Sequence, residues 1–190
     1  MIKYPTKKSV YQEKKISTKN RGMRFEALID ETNAFYRLNH EAVVHKKPTP
    51  IQIVNVDYPK RTSAKITEAY YKTPSTTDYN GVVKGRYIDF DVKESRSKSS
   101  FPLNNIHPHQ IDHLKAVHAH GGIAFILVYF SVYDEVFFIS YPLLEKYLKR
   151  SEKGRQSITY EELSREAILI KPSYRPTIPY LNAIEHYLKK

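Results

Sequence analysis

The sequence predicts a mixed α/β protein built on a central mixed sheet. A helical apolar stripe opens the folded part of the chain, and strand-like and helical stretches then alternate to the end. Near the middle, Tyr87 to Glu94 alternates with period two, placing Ile88, Phe90 and Val92 on one face and Tyr87, Asp89, Asp91 and Lys93 on the other. With 190 residues, the chain fits one domain.

Residues 1–19 carry six lysines against Glu13 and read as a flexible basic arm, and residues 20–190 as a single folded domain. Asn20 can cap a helix from about Arg21 to Asn39, where Phe25, Leu28, Ile29, Phe35 and Tyr36 form the apolar stripe. Ala42 to Lys47 and Ile51 to Val56 read as strands, separated by Pro48-Thr49-Pro50. Residues 58–77 have little apolar periodicity and carry Lys60, Arg61, Lys65 and Lys72 against Glu68. They read as a long basic segment protruding from the domain, and loops of that length are often functional.

A hairpin is expected around Asn80-Gly81, with Lys84-Gly85 following. Ser95 to Ser100 reads as a polar loop and Pro108 to His120 as a helix. Ile123 to Ser131 and Glu135 to Tyr141 read as apolar strands joined at Tyr133-Asp134, and Pro142 to Arg150, Thr159 to Arg165 and Ile178 to Lys189 as helices.

The net charge of +11 and pI near 9.6 point to a polyanionic partner. Nucleic acid is the first candidate and an anionic membrane surface the rival. The absence of cysteine excludes disulfides and thiolate zinc sites and fits a reducing cytoplasm. No apolar run near Met1 suits a signal peptide, and the longest apolar stretch, Ile123 to Phe130, is too short to span a bilayer. No G-x-S-x-G elbow and no Gly-rich phosphate loop occurs. His109 and His113 have the spacing of one helix face but no glutamate follows His109, so these histidines, with His107, His118 and His120, read as structural or DNA-facing.

The chemistry-bearing pattern is Asp91-Val92-Lys93 with Asp78 upstream. Two residues apart on a strand, Asp91 and Lys93 share a face at about 6–7 Å. A carboxylate there can ligate a hard cation, and an ammonium can offset charge on a phosphoryl group. A hairpin would bring Asp78 beside Asp91. By spacing alone, the same pair could be a salt bridge on a strand surface. Glu26, on the first helix, is a further candidate acid and equally a solvated face residue. Glu94 falls on the apolar side or at the strand end and is left outside the centre.

Several longer stretches add to this pattern. They are Asn20-Arg21-Gly22-Met23, His45-Lys46-Lys47-Pro48-Thr49-Pro50 with the strand after it, Tyr58-Pro59-Lys60-Arg61 and Thr76-Thr77-Asp78-Tyr79-Asn80-Gly81. Lys84-Gly85-Arg86-Tyr87-Ile88-Asp89-Phe90, Ser100-Phe101-Pro102-Leu103 and His109-Gln110 complete the set. In this order the chain resembles the PD-(D/E)xK nuclease superfamily and, more closely, the RecU-type Holliday junction resolvases of Gram-positive bacteria. The resemblance implies a restriction-endonuclease-like core, with a central mixed sheet flanked by helices and a protruding basic stalk.

The resemblance further implies a Mg²⁺-dependent endonuclease, with Mn²⁺ as a substitute, that hydrolyses phosphodiesters to leave a 5′-phosphate. Thr76, Asp78, Asp91 and Gln110 would form the metal site, and Lys93 would stabilise the transition state. Family members usually carry glutamate where this chain has Asp91, one methylene shorter, and their N-terminal arms are usually longer. The implied partners are four-way junctions and other branched DNA, and a second copy in a homodimer. Recombinase and branch-migration proteins are further candidates; no membrane is expected, and the implied location is the cytoplasm. Lys60, Arg61, Lys65, Lys72 and Arg21 would contact phosphates. Two alternatives stay open: a restriction-like nuclease for duplex DNA, and a non-catalytic DNA-binding module of recombination.

Overall fold

The computed structural model describes residues 22–59, 63–72 and 76–189. The expected helices form at α1 (Gly22–Leu38), α2 (Pro108–Ala119), α3 (Tyr141–Ser151), α4 (Tyr160–Glu166) and α5 (Tyr180–Leu188). Strands β1 (Val43–Lys46), β4 (Tyr79–Val83), β5 (Arg86–Ser95), β7 (Ile123–Phe130), β8 (Glu135–Ser140) and β10 (Ile168–Ile170) make one sheet in the order β1-β4-β5-β7-β8-β10. All its pairings are antiparallel except β5 with β7, which run parallel from Ile88↔Ile123 to Ser95↔Phe130. The parallel pair needs a crossover, and α2 supplies it.

Two apolar layers enclose the sheet. Phe25, Ile29 and Tyr36 of α1, with Tyr180 and Ile184 of α5, pack on Ile88, Phe90, Phe125 and Phe138. On the opposite face Leu114 of α2, Leu144 and Tyr147 of α3 and Leu163 of α4 pack on Ala124, Ile126, Phe137 and Ile139. The result is a helix–sheet–helix sandwich with β5 and β7 buried on both faces.

An aromatic row runs across four strands of the first layer. Ring centroids are 5.0 Å apart from Tyr79 to Phe90, 4.7 Å from Phe90 to Phe125 and 4.5 Å from Phe125 to Phe138, and Tyr180 closes over Phe90 at 5.2 Å. This row locks the register of β4 against β5 and so fixes where Asp78, one residue before β4, meets the β5 residues.

The hairpin turn differs from the expectation. It falls at Lys84-Gly85, both with positive φ (47° and 76°), whereas Asn80-Gly81 lies inside β4. Gly81 is there for clearance rather than for turning. Edge strand β1 pairs across it, and a Cβ at Gly81 would sit 2.1 Å from the Val43 carbonyl oxygen and 2.7 Å from Val44 Cα.

The protruding segment also begins earlier than residue 58. Strands β2 (Ile51–Asp57) and β3 (Lys65–Tyr71) form a separate two-stranded ribbon, exposed along almost its whole length. A bulge breaks its register between Ile53 and Val56, and Lys72 N–H donates to the Pro50 carbonyl at its base. Because neither face of the ribbon meets a core, no alternating pattern was required of residues 65–71. The three-residue strands β6 (Ser100–Pro102) and β9 (Ser157–Thr159), paired with each other, and β10 were likewise too short to leave a periodic signal.

Gly81→Ala is expected to destabilise the protein by at least about 2 kcal/mol, because backbone rather than a flexible side chain must yield. Gly85→Asn should cost about 1 kcal/mol or less, since nothing lies within 4 Å of the added Cβ and asparagine accepts positive φ. Urea denaturation of the two variants checks both values.

Candidate active site

Strand β5 has a partner on each edge and a helix layer on each face, so the two carboxylates at the middle of its α2 side are sealed in. Asp89 and Asp91 are both fully buried. A buried carboxylate is costly unless partners surround it, and each has its own set.

Asp91 Oδ1 accepts a hydrogen bond from Gln110 Nε2 at 2.9 Å, and its Oδ2 lies 2.6 Å from Lys93 Nζ. That second approach is a contact of charges without hydrogen-bond alignment, which leaves Oδ2 buried with no hydrogen bond. Asp78 stands against the same carboxyl. Burial, reinforced by the neighbouring Asp78 charge and opposed by Lys93, pushes the Asp91 carboxyl up to about 7. For Asp89, burial alone would raise the carboxyl. Hydrogen bonds from Lys47, Thr77, Tyr87 and His113 outweigh it and hold Asp89 below the usual carboxylate range.

A cavity of about 420 Å³ opens where the start of α1, the end of β5 and the residue before β4 meet. Glu26, Asp78, Lys93, Glu94 and Arg96 line it, with Asp91 buried behind Lys93. Asp78, Asp91 and Lys93 are therefore brought together, and Glu26 joins them, paired to Lys46 Nζ at 2.5 Å. Glu94 stands at the strand end, one of its two expected places, yet it lines the cavity. Val92, Lys93 and Glu94 in succession line the cavity, so alternation no longer separates two faces at the strand end. Arg96, 4.0 Å from Glu94, and Lys46 were not singled out in the sequence; no spacing rule connects them to Asp91.

Thr76 is half-buried, and its hydroxyl donates to the Thr77 carbonyl at 3.3 Å. Gln110 is buried beside Asp91, but its amide nitrogen faces the carboxylate. Its oxygen accepts the His107 N–H at 3.0 Å, closing the first turn of α2. Lys65 and Lys72 are exposed on the ribbon and at its base. Arg21, Lys60 and Arg61 lie outside the described residues. Of the histidines, His113 is tied to Asp89 at 3.0 Å, and His107 stacks on His109 with ring centroids 5.5 Å apart.

The family model described as recombination protein U, RecU, matches residues 20–186. The chain belongs to the RecU family. A RecU relative from Bacillus subtilis (strain 168), named Holliday junction resolvase RecU, is 48% identical over 196 residues, covering 97% of this chain and 94% of the relative. One of the same name from Bacillus thuringiensis (strain Al Hakam) is 46% identical over 193 residues, covering 97% and 96%. A solved structure of Archaeoglobus fulgidus Hjc, titled a Holliday junction resolvase from an archaeal hyperthermophile, covers 77% of this chain and 89% of its own. It does so at 11% identity and a TM-score of 0.43. Among the described residues no helix of this RecU chain is long and apolar enough to cross a membrane.

Whether a divalent cation suits this RecU site can be judged from its atoms. Among the described residues no group of three or more His, Asp or Glu side chains has metal-holding geometry. The centre instead presents two carboxylates, one with a buried oxygen lacking a hydrogen bond. Mg²⁺ binds through one or two carboxylates and keeps several waters, so the donors fit it and do not fit zinc.

The raised Asp91 value has a consequence for stability. Between the ordinary carboxylate range and about pH 7, the folded metal-free protein holds a proton that the unfolded chain releases, so stability falls as pH rises through that window. In a chelator, the wild type is expected to lose more stability than Asp91→Asn between about pH 4.5 and about pH 7, by at most about 1.4 kcal/mol per pH unit. Denaturant titrations of both proteins across that range check the sign, because groups that do not touch Asp91 cancel in the comparison.

Proposed function

We propose that this chain is a Mg²⁺-dependent endonuclease that cuts four-way DNA junctions by phosphodiester hydrolysis, leaving 5′-phosphates, and that it works as a homodimer in the cytoplasm. The observation that carries the reading is the convergence of Asp78 and Lys93, which line an open cavity, on Asp91 buried just behind them. Near-full-length similarity to relatives named Holliday junction resolvase supports the choice of substrate.

Asp78 and Asp91 would hold the cation, with Thr76 contributing at the margin. Gln110 would act through Asp91 by fixing the direction of its carboxylate, and becomes a direct ligand if its oxygen leaves the helix cap. Mg²⁺, when bound there, supplies Lewis acidity and a water of lowered pKa; Mn²⁺ would serve as a substitute. Lys93, already beside Asp91, presents its ammonium where charge develops on the phosphoryl oxygens. Glu26, released from Lys46, is a third acid within the same cavity.

The exposed ribbon would reach the centre of the junction, with Lys65, Lys72, Lys60 and Arg61 on phosphates and Arg21 near the start of α1 on the flanking arm. Two-fold symmetry of a homodimer matches two equivalent scissile bonds. Recombinase and branch-migration proteins are candidate partners on the same substrate.

Cleavage of a synthetic four-way junction in Mg²⁺ tests the reading. Asp78→Ala and Asp91→Asn should cut at least about 100-fold more slowly while binding the junction as the wild type does. Lys93→Ala should lose roughly 10²–10³ in kcat, and Asp91→Glu should remain active. Equal cutting of linear duplex and junction would favour a restriction-like nuclease, and tight binding with no cutting in Mg²⁺ or Mn²⁺ a binding module. Junction affinity should fall steeply with salt, and Lys65→Ala with Lys72→Ala should flatten the log–log slope by about 1–2.

A further inference from the structure

A second buried cluster lies one strand step from Asp91, and its connections reach every segment that carries a candidate ligand. Its hub is Asp89. Oδ1 accepts from the Thr77 hydroxyl, and Oδ2 accepts from Lys47 Nζ at 2.8 Å and Tyr87 OH at 2.7 Å and contacts His113 Nε2 at 3.0 Å. Lys47 Nζ also donates to Thr77 Oγ1 at 3.0 Å, while the Lys47 backbone N–H donates to the Asp78 carbonyl at 2.7 Å.

These bonds act on three separate carriers. Thr77 lies between Thr76 and Asp78 in a stretch with no helix or strand to hold it, and it is fully buried. Its hydroxyl is gripped by Lys47 and Asp89, and the carbonyl after it is gripped by the Lys47 backbone. His113 follows Gln110 by three residues on α2, one turn along the same face. The Asp89–His113 contact therefore pins α2 in the rotation that aims Gln110 at Asp91. Asp89 itself is two residues before Asp91 on β5, so the hub and the candidate ligand share one rigid strand.

We infer that Asp89, through Thr77, Lys47 and His113, is a positioning centre that sets the separation of Asp78 from Asp91 and hence the fit of the cation between them. This rests on the metal-dependent reading proposed above. None of the four touches the cavity. Their effect would pass through the 76–78 segment and through α2, so it should appear in cation affinity before it appears in the rate at saturating cation.

Thr77→Val tests this, because it keeps the side-chain shape and removes only the hydroxyl. The Mg²⁺ half-saturation of single-turnover junction cleavage is expected to rise at least tenfold, with the rate at saturating Mg²⁺ reduced less than threefold. Mn²⁺ binding to the DNA-free protein, read from the electron paramagnetic resonance of free Mn²⁺, should weaken by a similar factor. Thr77→Ser should restore both. His113→Ala, on the more open side of the cluster, should shift the half-saturation in the same direction by at least threefold and keeps the test available if Thr77→Val folds poorly. Thr77→Val and His113→Ala binding Mn²⁺ and using Mg²⁺ within twofold of wild type, with Asp91→Asn losing both, would overturn the positioning role and leave the site intact. Asp91→Asn binding Mn²⁺ as the wild type does would overturn the site, and the positioning role with it.

Discussion

Placing two carboxylates on a strand that is hydrogen-bonded on both edges and covered on both faces is the constraint around which this molecule is arranged. Each ionised carboxylate removed from water costs several kcal/mol even after the surroundings relax. The fold answers the two charges differently. Asp89 is surrounded by donors from three other segments and is held as a carboxylate. Asp91 has one amide, one ammonium out of hydrogen-bond alignment and a second carboxyl pressed against it, so its charge is incompletely matched. A site that leaves a buried anion short of positive charge is a site with room for a cation.

The same constraint accounts for the surrounding architecture. Helix α2 must lie over β5 with Gln110 and His113 facing down, because those two residues meet Asp91 and Asp89 in turn. Edge strand β1 must come close enough for Lys47 to reach Thr77 and the Asp78 carbonyl, and that closeness is what leaves no space for a side chain at Gly81. On the other face, the aromatic row from Tyr79 to Phe138 supplies rigid apolar packing behind the polar layer. On the α2 side, β5 is thus polar and tightly bonded beside the apolar layer over β7 and β8, and on the opposite side β5 joins an apolar core.

The exposed ribbon has no such support. Strands β2 and β3 pair with each other and expose Ile53, Val54, Tyr70 and Tyr71 together with Lys65. A two-stranded ribbon alone is marginally stable in water. Its apolar and aromatic surface beside lysines suits contact with stacked bases and phosphates in the junction we propose as substrate.

The sequence by itself determined the local elements and the local half of the site. Helix α1 was legible from its helical apolar stripe, β7 and β8 from short continuous apolar runs, and β5 from the period of two that strand geometry imposes. Asp91 and Lys93 were legible for the same reason, since strand geometry alone puts them on one face; Asp78 was legible as hairpin-near. Thr76 and Gln110 entered only by resemblance to a family. Tertiary structure alone decided the rest. It moved the hairpin turn to Lys84-Gly85, made Gly81 a clearance residue, turned Gln110 to present nitrogen rather than oxygen to Asp91, and brought Glu94 and Arg96 into the cavity. It also assembled Lys47, Thr77, Asp89 and His113 from four distant stretches of chain. Such contacts depend on which strands become neighbours and how a helix is rotated on its sheet. Those choices are made by the total packing of both layers, and no window of sequence contains them.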